Sequence, residues 1–236
     1  MQRYFSKELN NNKFLLGEDD IYHITRVMRM KTGDKIEVIY QNELYICEVS
    51  VNENIEITLK EKMEVSEKRE PGVTLIIPLL KEQKMDLILQ KSTELGVSEI
   101  VPVVMERSII KLDSSKEEKR IERWTRICKE AAEQSKRLNI PIITKVKSLK
   151  ELEKMEGLKV VCSTTEKNFN LKKLLSGKQK YDRINIVVGP EGGISPKEEE
   201  LLVGLGFKRV SLGNRIMRVE TVPIYILSVL NYEFME

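Results

Sequence analysis

The chain has 236 residues, of which 41% are hydrophobic and 33% charged. That length suits one large domain or a small one joined to a medium one, and the balance excludes a disordered chain. With 40 Lys and Arg against 37 Asp and Glu, the net charge is only +3, so any nucleic-acid surface must come from local clustering of charge. Cys47, Cys128 and Cys162 stand far apart and odd in number. They form neither a metal pair nor a disulfide framework, and they read as small buried hydrophobes in a reducing compartment. The start, Met1-Gln2-Arg3-Tyr4-Phe5-Ser6, has no apolar leader, and no run reaches the roughly 18 residues of a membrane span. A cytoplasmic location is expected.

Residues 1–68 read as a small β-rich unit. One helix is expected first, opened by Glu18-Asp19-Asp20, with Ile21, Ile24 and Val27-Met28 as its apolar stripe. His23, Arg26 and Arg29 lie on or beside its polar flank, with Lys31 following. Short strands are predicted at 36–40, 44–49 and 55–59, separated by the turn residues Gln41-Asn42-Glu43 and Asn52-Glu53-Asn54. The charged stretch 62–72, ending in Pro71-Gly72, is the linker candidate.

From residue 73 the pattern becomes alternating strand and helix. Strands are predicted at 73–79, 100–104, 142–144, 159–163 and 184–188, with another around Val210. Pro102 suggests an edge or end position for the second of these. Helices are expected over 81–95, 116–138, 149–155, 171–175 and, last, 222–234. Such alternation predicts a mostly parallel α/β sheet covered on both faces.

Two glycine turns close this region. The apolar run Asn185-Ile186-Val187-Val188 ends in Gly189-Pro190-Glu191-Gly192-Gly193. Ser195 then caps a helix, with Pro196 at its first position and Glu198 completing a capping box. The acidic Glu191 would repel a phosphate, and no dinucleotide or P-loop fingerprint follows any predicted strand. This counts against a nucleotide-dependent oxidoreductase and favours a ligand with a cationic or hydrogen-bond-donating face. The second turn, Ser211-Leu212-Gly213-Asn214-Arg215-Ile216-Met217-Arg218-Val219-Glu220-Thr221, sets two arginines and a glutamate around an apolar pair.

These two turns resemble the signature of the RsmE family, the small-subunit (16S) ribosomal RNA uridine-N3 methyltransferases of the SPOUT superfamily. Further stretches carry the resemblance over almost the whole chain. They are Arg3-Tyr4-Phe5, the segment His23 to Arg29 with Gly33-Asp34, Lys91 to Val97, Glu106-Arg107-Ser108, and Ala132 to Arg137 with Pro141. The departures are mild. Met28 and Met217 stand where leucine is usual, Val219 where threonine is usual, and Val222-Pro223 where the family is alanine-rich.

The resemblance implies a PUA-like RNA-binding domain over 1–68 and a SPOUT methyltransferase domain with a C-terminal trefoil knot over 73–236. It implies S-adenosylmethionine as cofactor, with no metal required. The cofactor walls would be the turn Thr164-Thr165, then Gly189, Glu191 and Gly192, then Leu212, Gly213, Ile216, Met217 and Arg218. Arg218 is the candidate to stabilise charge on the uracil carbonyl oxygens. Glu220 or Glu191 would orient it or accept the N3 proton, a choice the sequence leaves open. Arg3, Arg26 and Arg29 are the expected phosphate contacts, with Tyr4 and Phe5 packing or stacking. Gln134 and Arg137, near Glu133, would face the substrate. His23 reads as structural or as part of this basic patch. The implied partners are 16S ribosomal RNA, alone or in the assembled small subunit, and a second copy of the chain. Rival readings are a knotted methyltransferase for another ribosomal or transfer RNA site, and a non-catalytic RNA-binding assembly protein.

Overall fold

Alternating burial builds the first sheet. In strand β5 (Glu43–Val51), Tyr45, Cys47 and Val49 point inward while their neighbours do not, the period-2 pattern of a half-buried strand. The computed structural model describes residues 1–52, 54–65, 70–110, 114–177 and 181–234. It divides into two compact units. The first is Met1–Lys68 with Lys129–Ile140, and the second is Arg69–Cys128 with Pro141–Glu236. Residues 66–69 of the expected linker lie outside the described residues.

The first unit is a six-stranded sheet of β1 (Arg3–Phe5), β2 (Glu8–Asn10), β3 (Lys13–Leu15), β4 (Lys35–Tyr40), β5 and β6 (Ile55–Met63). Their order is β1-β4-β5-β6-β3-β2. β1 lies parallel to β4, and the other neighbours are antiparallel. The first three strands, three residues each, were not expected from the sequence. Two-residue turns join β2 to β3 and β4 to β5. Asn11 and Asn12 have φ of 47° and 62°, and Gln41 and Asn42 have 52° and 63°. Positive φ at both central positions matches the right-handed strand twist. The expected helix begins as α1 (Glu18–Tyr22) and widens to a π-helical turn over His23–Val27. Arg29 ends it in the left-handed region at φ 51°. Tyr4, Phe14, Ile24, Ile36, Val38 and Ile57 are among its core residues.

The second unit holds a seven-stranded, all-parallel sheet. Its strands are β7 (Gly72–Pro78), β8 (Glu99–Val104), β9 (Ile142–Ile143), β10 (Lys147–Ser148), β11 (Leu158–Cys162), β12 (Arg183–Val187) and β13 (Lys208–Val210). The order is β10-β8-β7-β12-β11-β13, and β9 also pairs with β8. Pro102 therefore does not mark an edge strand, because β8 has neighbours on both sides. β9 pairs with Glu99 and Ile100, and β10 with Val103 and Val104. Pro102 stands opposite the break between them, where its missing N–H costs no ladder bond.

The helices are α2 (Glu82–Glu94), α3 (Glu117–Gln134), α4 (Leu171–Leu175), α5 (Pro196–Gly204) and α6 (Thr221–Phe234), with a 3-10 turn over Leu149–Lys154. The last turns of α3 belong to the first unit. Ile184, Ile186, Val187 and Val188 are all at most 1% exposed. Burying each aliphatic side chain is worth about 1.5–3 kcal/mol, so β12 is anchored firmly at the centre. Because β11, β12 and β13 are neighbouring and parallel, the loops after them emerge at one end of the sheet. This is where open α/β sheets place their ligands.

Candidate functional site

Those three loops bound two adjoining cavities in the second unit. The first, of about 530 Å³, is lined by residues 162–165, 188–194, Glu199, 216–219, Val222 and Lys84. The second, of about 300 Å³, is lined by residues 162–164, Glu166, Lys167, 211–217 and Val222. Both volumes lie in the range of small-molecule sites. Thr164, Ile216 and Met217 line both cavities; Gly189, Glu191, Gly192 and Arg218 line the first; Leu212 and Gly213 line the second. The structure thus brings together every residue expected to hold the cofactor. Glu220 does not line either cavity but stands behind the first, its Oε2 3.8 Å from Lys84 Nζ.

The glycine turn is held from three sides. A Cβ on Gly189 would come within 2.7 Å of Ile194 Cγ1, and Gly193 takes φ +73°, a conformation open to glycine. The capping box at α5 is present: Glu198 N donates to Ser195 Oγ, and Ser195 N donates to Glu198 Oε2 at 3.1 Å. Glu198 Oε1 accepts from Glu106 N at 2.7 Å, and Arg107 Nη1 donates to the Gly192 carbonyl at 3.0 Å. The segment after β8 therefore braces the turn. The loop after β11 folds on Ser163 Oγ, which accepts from the N–H groups of Thr165 and Glu166.

Charge is arranged unevenly. Lys84 Nζ donates to Glu191 Oε1 at 2.9 Å. This bond, with the charges of Glu191 and Glu220, holds Lys84 above the ordinary lysine range. Burial alone would raise Glu191, but the Lys84 bond, its own backbone N–H and the Lys84 and Lys81 charges hold it below the usual carboxylate range. Arg218 is exposed, and its guanidinium has no hydrogen bond or ion pair among the described residues. Its carbonyl accepts from Thr221 N at 2.9 Å, fixing it at the start of α6. Ile216 is 87% exposed in the cavity rim, while Val219 is buried and anchors the turn.

The sequence reading missed Lys84, Ser163, Glu199 and the bracing role of Arg107, whereas Thr165, expected beside Thr164, does line the first cavity. Glu199 is 8% exposed and lies 3.4 Å from Arg209 Nε. A charged residue on a helix reads as solvated face, and only the fold turns Lys84 and Glu199 toward the cavity.

In the first unit the expected RNA contacts separate into two groups. Arg26, Arg29 and Gln134 are exposed. Arg137 is half-buried and donates to Asn139 Oδ1 at 2.6 Å. Arg3, by contrast, is buried. Its Nε meets Glu37 Oε2 at 2.8 Å, and its Nη1 donates to the carbonyls of Lys136 and Arg137. The expectation that Arg3 binds phosphate is corrected accordingly, because every face of its guanidinium named here is engaged inside the protein. His23 Nδ1 meets the Tyr4 hydroxyl at 2.9 Å, and Tyr4 is core.

The lining joins apolar Ile194, Ile216, Met217 and Val222 to the carboxylates Glu191 and Glu199 and the cations Lys84 and Arg218, which suits a small ligand with an apolar ring and charged groups of both signs. A profile described as an RNA methyltransferase domain matches residues 67–231, and one described as an RNA methyltransferase PUA domain matches residues 16–62. Ribosomal RNA small subunit methyltransferase E of Bacillus subtilis is 35% identical, with 99% of this chain and 97% of that protein covered. The protein of the same name from Aquifex aeolicus is 33% identical, with 98% and 99% covered. The crystal structure of a ribosomal RNA small subunit methyltransferase E from Neisseria gonorrhoeae bound to S-adenosyl methionine superposes with a TM-score of 0.87 at 28% identity. It covers 98% of this chain and 97% of that one. The chain therefore belongs to the RNA methyltransferase family with a PUA domain, among the ribosomal RNA small subunit methyltransferase E proteins.

Proposed function

We propose that this protein methylates N3 of a uridine in 16S ribosomal RNA, with S-adenosylmethionine as methyl donor. The observation that carries the reading is Arg218, an arginine without a side-chain partner among the described residues, set on the wall of a cavity shared by three strand-end loops. The residues fit the cofactor. Gly189, which has no room for a side chain beside Ile194, lines the first cavity with backbone alone. The carboxylate of Glu191 suits a cationic centre, and the apolar side chains of Ile216 and Met217 suit the adenine. When bound, the cofactor supplies a methyl group already activated on a sulfonium.

The protein's part is then positioning and electrostatics. Thr164, Gly189, Glu191, Gly192, Leu212, Gly213, Ile216 and Met217 hold the donor. Arg218 stabilises the negative charge that develops on the uracil oxygens, and Glu220 accepts the N3 proton. Residues 1–68 bind RNA, with Arg26, Arg29, Gln134 and Arg137 as contacts. Residues 73–236 form the methyltransferase domain, and we read its last segments as a trefoil knot, in keeping with β12 inserted between β7 and β11. The exposure of Tyr232, Tyr225 and Ile216 favours a homodimer, and the setting is cytoplasmic.

Calorimetry with S-adenosylmethionine and transfer of a labelled methyl group to 16S RNA or small subunits test the reading. Micromolar binding with labelled RNA is expected; binding without transfer to any RNA would leave a non-catalytic RNA-binding protein.

A further inference from the structure

Lys84 sits on α2, 107 residues before Glu191 in the chain, yet its ammonium lines the first cavity. It lies between the two carboxylates that compete for the proton-accepting role. To Glu191 Oε1 the distance is 2.9 Å, a hydrogen bond; to Glu220 Oε2 it is 3.8 Å, a charge contact only. Glu220 Oε2 is also buried and accepts no hydrogen bond among the described residues. A carboxylate oxygen kept from water without a donor is costly, and a proton would satisfy it; Glu220 stands behind the cavity wall, so the proton enters through the part of its side chain, 16%, that remains exposed. Glu191 is already served by Lys84 and by its own backbone N–H, which makes it a poor base.

We propose that Lys84 is a positioning residue for methyl transfer: it engages Glu191 as a fixed wall of the cavity and leaves Glu220 as the carboxylate that takes the N3 proton. This rests on the function proposed above. The step balances. The N3–H proton passes to Glu220, the nitrogen pair forms the bond to the methyl carbon, and the electrons of the broken carbon–sulfur bond remain on sulfur. The positive charge of the donor and the negative charge of Glu220 vanish together. The charged groups facing this pair are Lys84 on α2 and Lys81 at its N-cap, Glu191 on the glycine turn, and Arg218 beside Glu220. Without Lys84, two carboxylates share the site with no cation between them, which raises the affinity of at least one for a proton.

The test uses full-length Lys84→Met and Lys84→Arg. Lys84 is exposed over a third of its side chain, so both variants should fold, which thermal melting checks. Single-turnover transfer by Lys84→Met should fall about 10- to 100-fold, and the acid limb of its pH profile should move to higher pH. Cofactor affinity by calorimetry should stay within about threefold. Lys84→Arg should recover most of the rate. Independently of activity, the carboxyl carbon resonance of Glu191 should titrate at higher pH in Lys84→Met than in the wild type. An active wild type with a Lys84→Met variant unchanged in rate and pH limb would overturn the proposal, as would equal losses of cofactor affinity and rate. A wild type that transfers no methyl group to any RNA would overturn the function itself, and the role of Lys84 with it.

Discussion

Gly189 lies so close to Ile194 that a side chain on the first would strike the second: an added Cβ would stand 2.7 Å from Ile194 Cγ1 and 3.2 Å from Ile194 N. The glycine turn is folded back on itself, and its backbone faces the cavity. Gly189→Ala must therefore shift the turn, at about 1–3 kcal/mol of strain. Calorimetry should show S-adenosylmethionine affinity reduced about tenfold for every 1.4 kcal/mol the turn loses, while the far-UV spectrum stays unchanged. Unaltered affinity would show that the turn does not touch the ligand.

The Arg218 side chain is exposed and makes no hydrogen bond or ion pair among the described residues, so its truncation should leave the fold intact. Arg218→Ala should lower single-turnover methyl transfer by about 10²–10³ with cofactor affinity nearly constant. A parallel loss of both would make Arg218 a cofactor ligand instead.

The arginines of the first unit should behave in opposite ways. Arg3 is buried against Glu37, itself only 16% exposed. Arg3→Ala removes the donor to two carbonyls and leaves Glu37 with Lys136 alone, and should cost about 1–3 kcal/mol in chemical denaturation. Arg26→Ala and Arg29→Ala should leave the midpoint within about 0.5 kcal/mol of wild type. Each should instead weaken RNA binding and lower the salt slope by about one, read by fluorescence anisotropy across a salt series.

A buried cluster in the same unit predicts a pH dependence. Burial pushes the Glu133 carboxyl up to about 7, opposed by Lys129, whose Nζ lies 3.0 Å from Glu133 Oε1. Because the folded value is raised, the folded state holds a proton that the unfolded chain releases. Stability is greatest below the unfolded carboxylate range and is lost as pH rises through about 7. The effect is at most about 3 kcal/mol. Glu37 acts in a separate window. Burial would raise it, but Lys136 and Arg3 hold it low, so its contribution is lost only under more acidic conditions. Glu133→Gln should remove the decline that runs from the ordinary carboxylate range up to about pH 7 in denaturant titrations; a decline of the same size in the variant would assign it elsewhere.

What the sequence made legible follows from how local each signal is. The cap Ser195-Pro196-Lys197-Glu198 and the run Ile186-Val187-Val188 are read from adjacent residues, and the structure has both. β1 carries only Arg3, Tyr4 and Phe5, too few residues to show a period. Pro102 looked like an edge signal because the predicted strand at 142–144 carries no sign that it pairs with β8, and β10, two residues long, shows no pattern at all. Arg3 looked like a surface charge because its partners stand 34 and about 133 residues away. Lys84 was missed for the same reason. The cavity walls were legible through glycines and paired arginines in short turns; the cation that organises the two glutamates was not.

The central claim is the reaction, and mass spectrometric mapping of 16S ribosomal RNA tests it most directly. RNA or small subunits lacking the modification, incubated with the protein and S-adenosylmethionine, should gain N3-methyluridine at one position, and Arg218→Ala should gain almost none. A wild-type protein that leaves 16S RNA without N3-methyluridine would contradict the account.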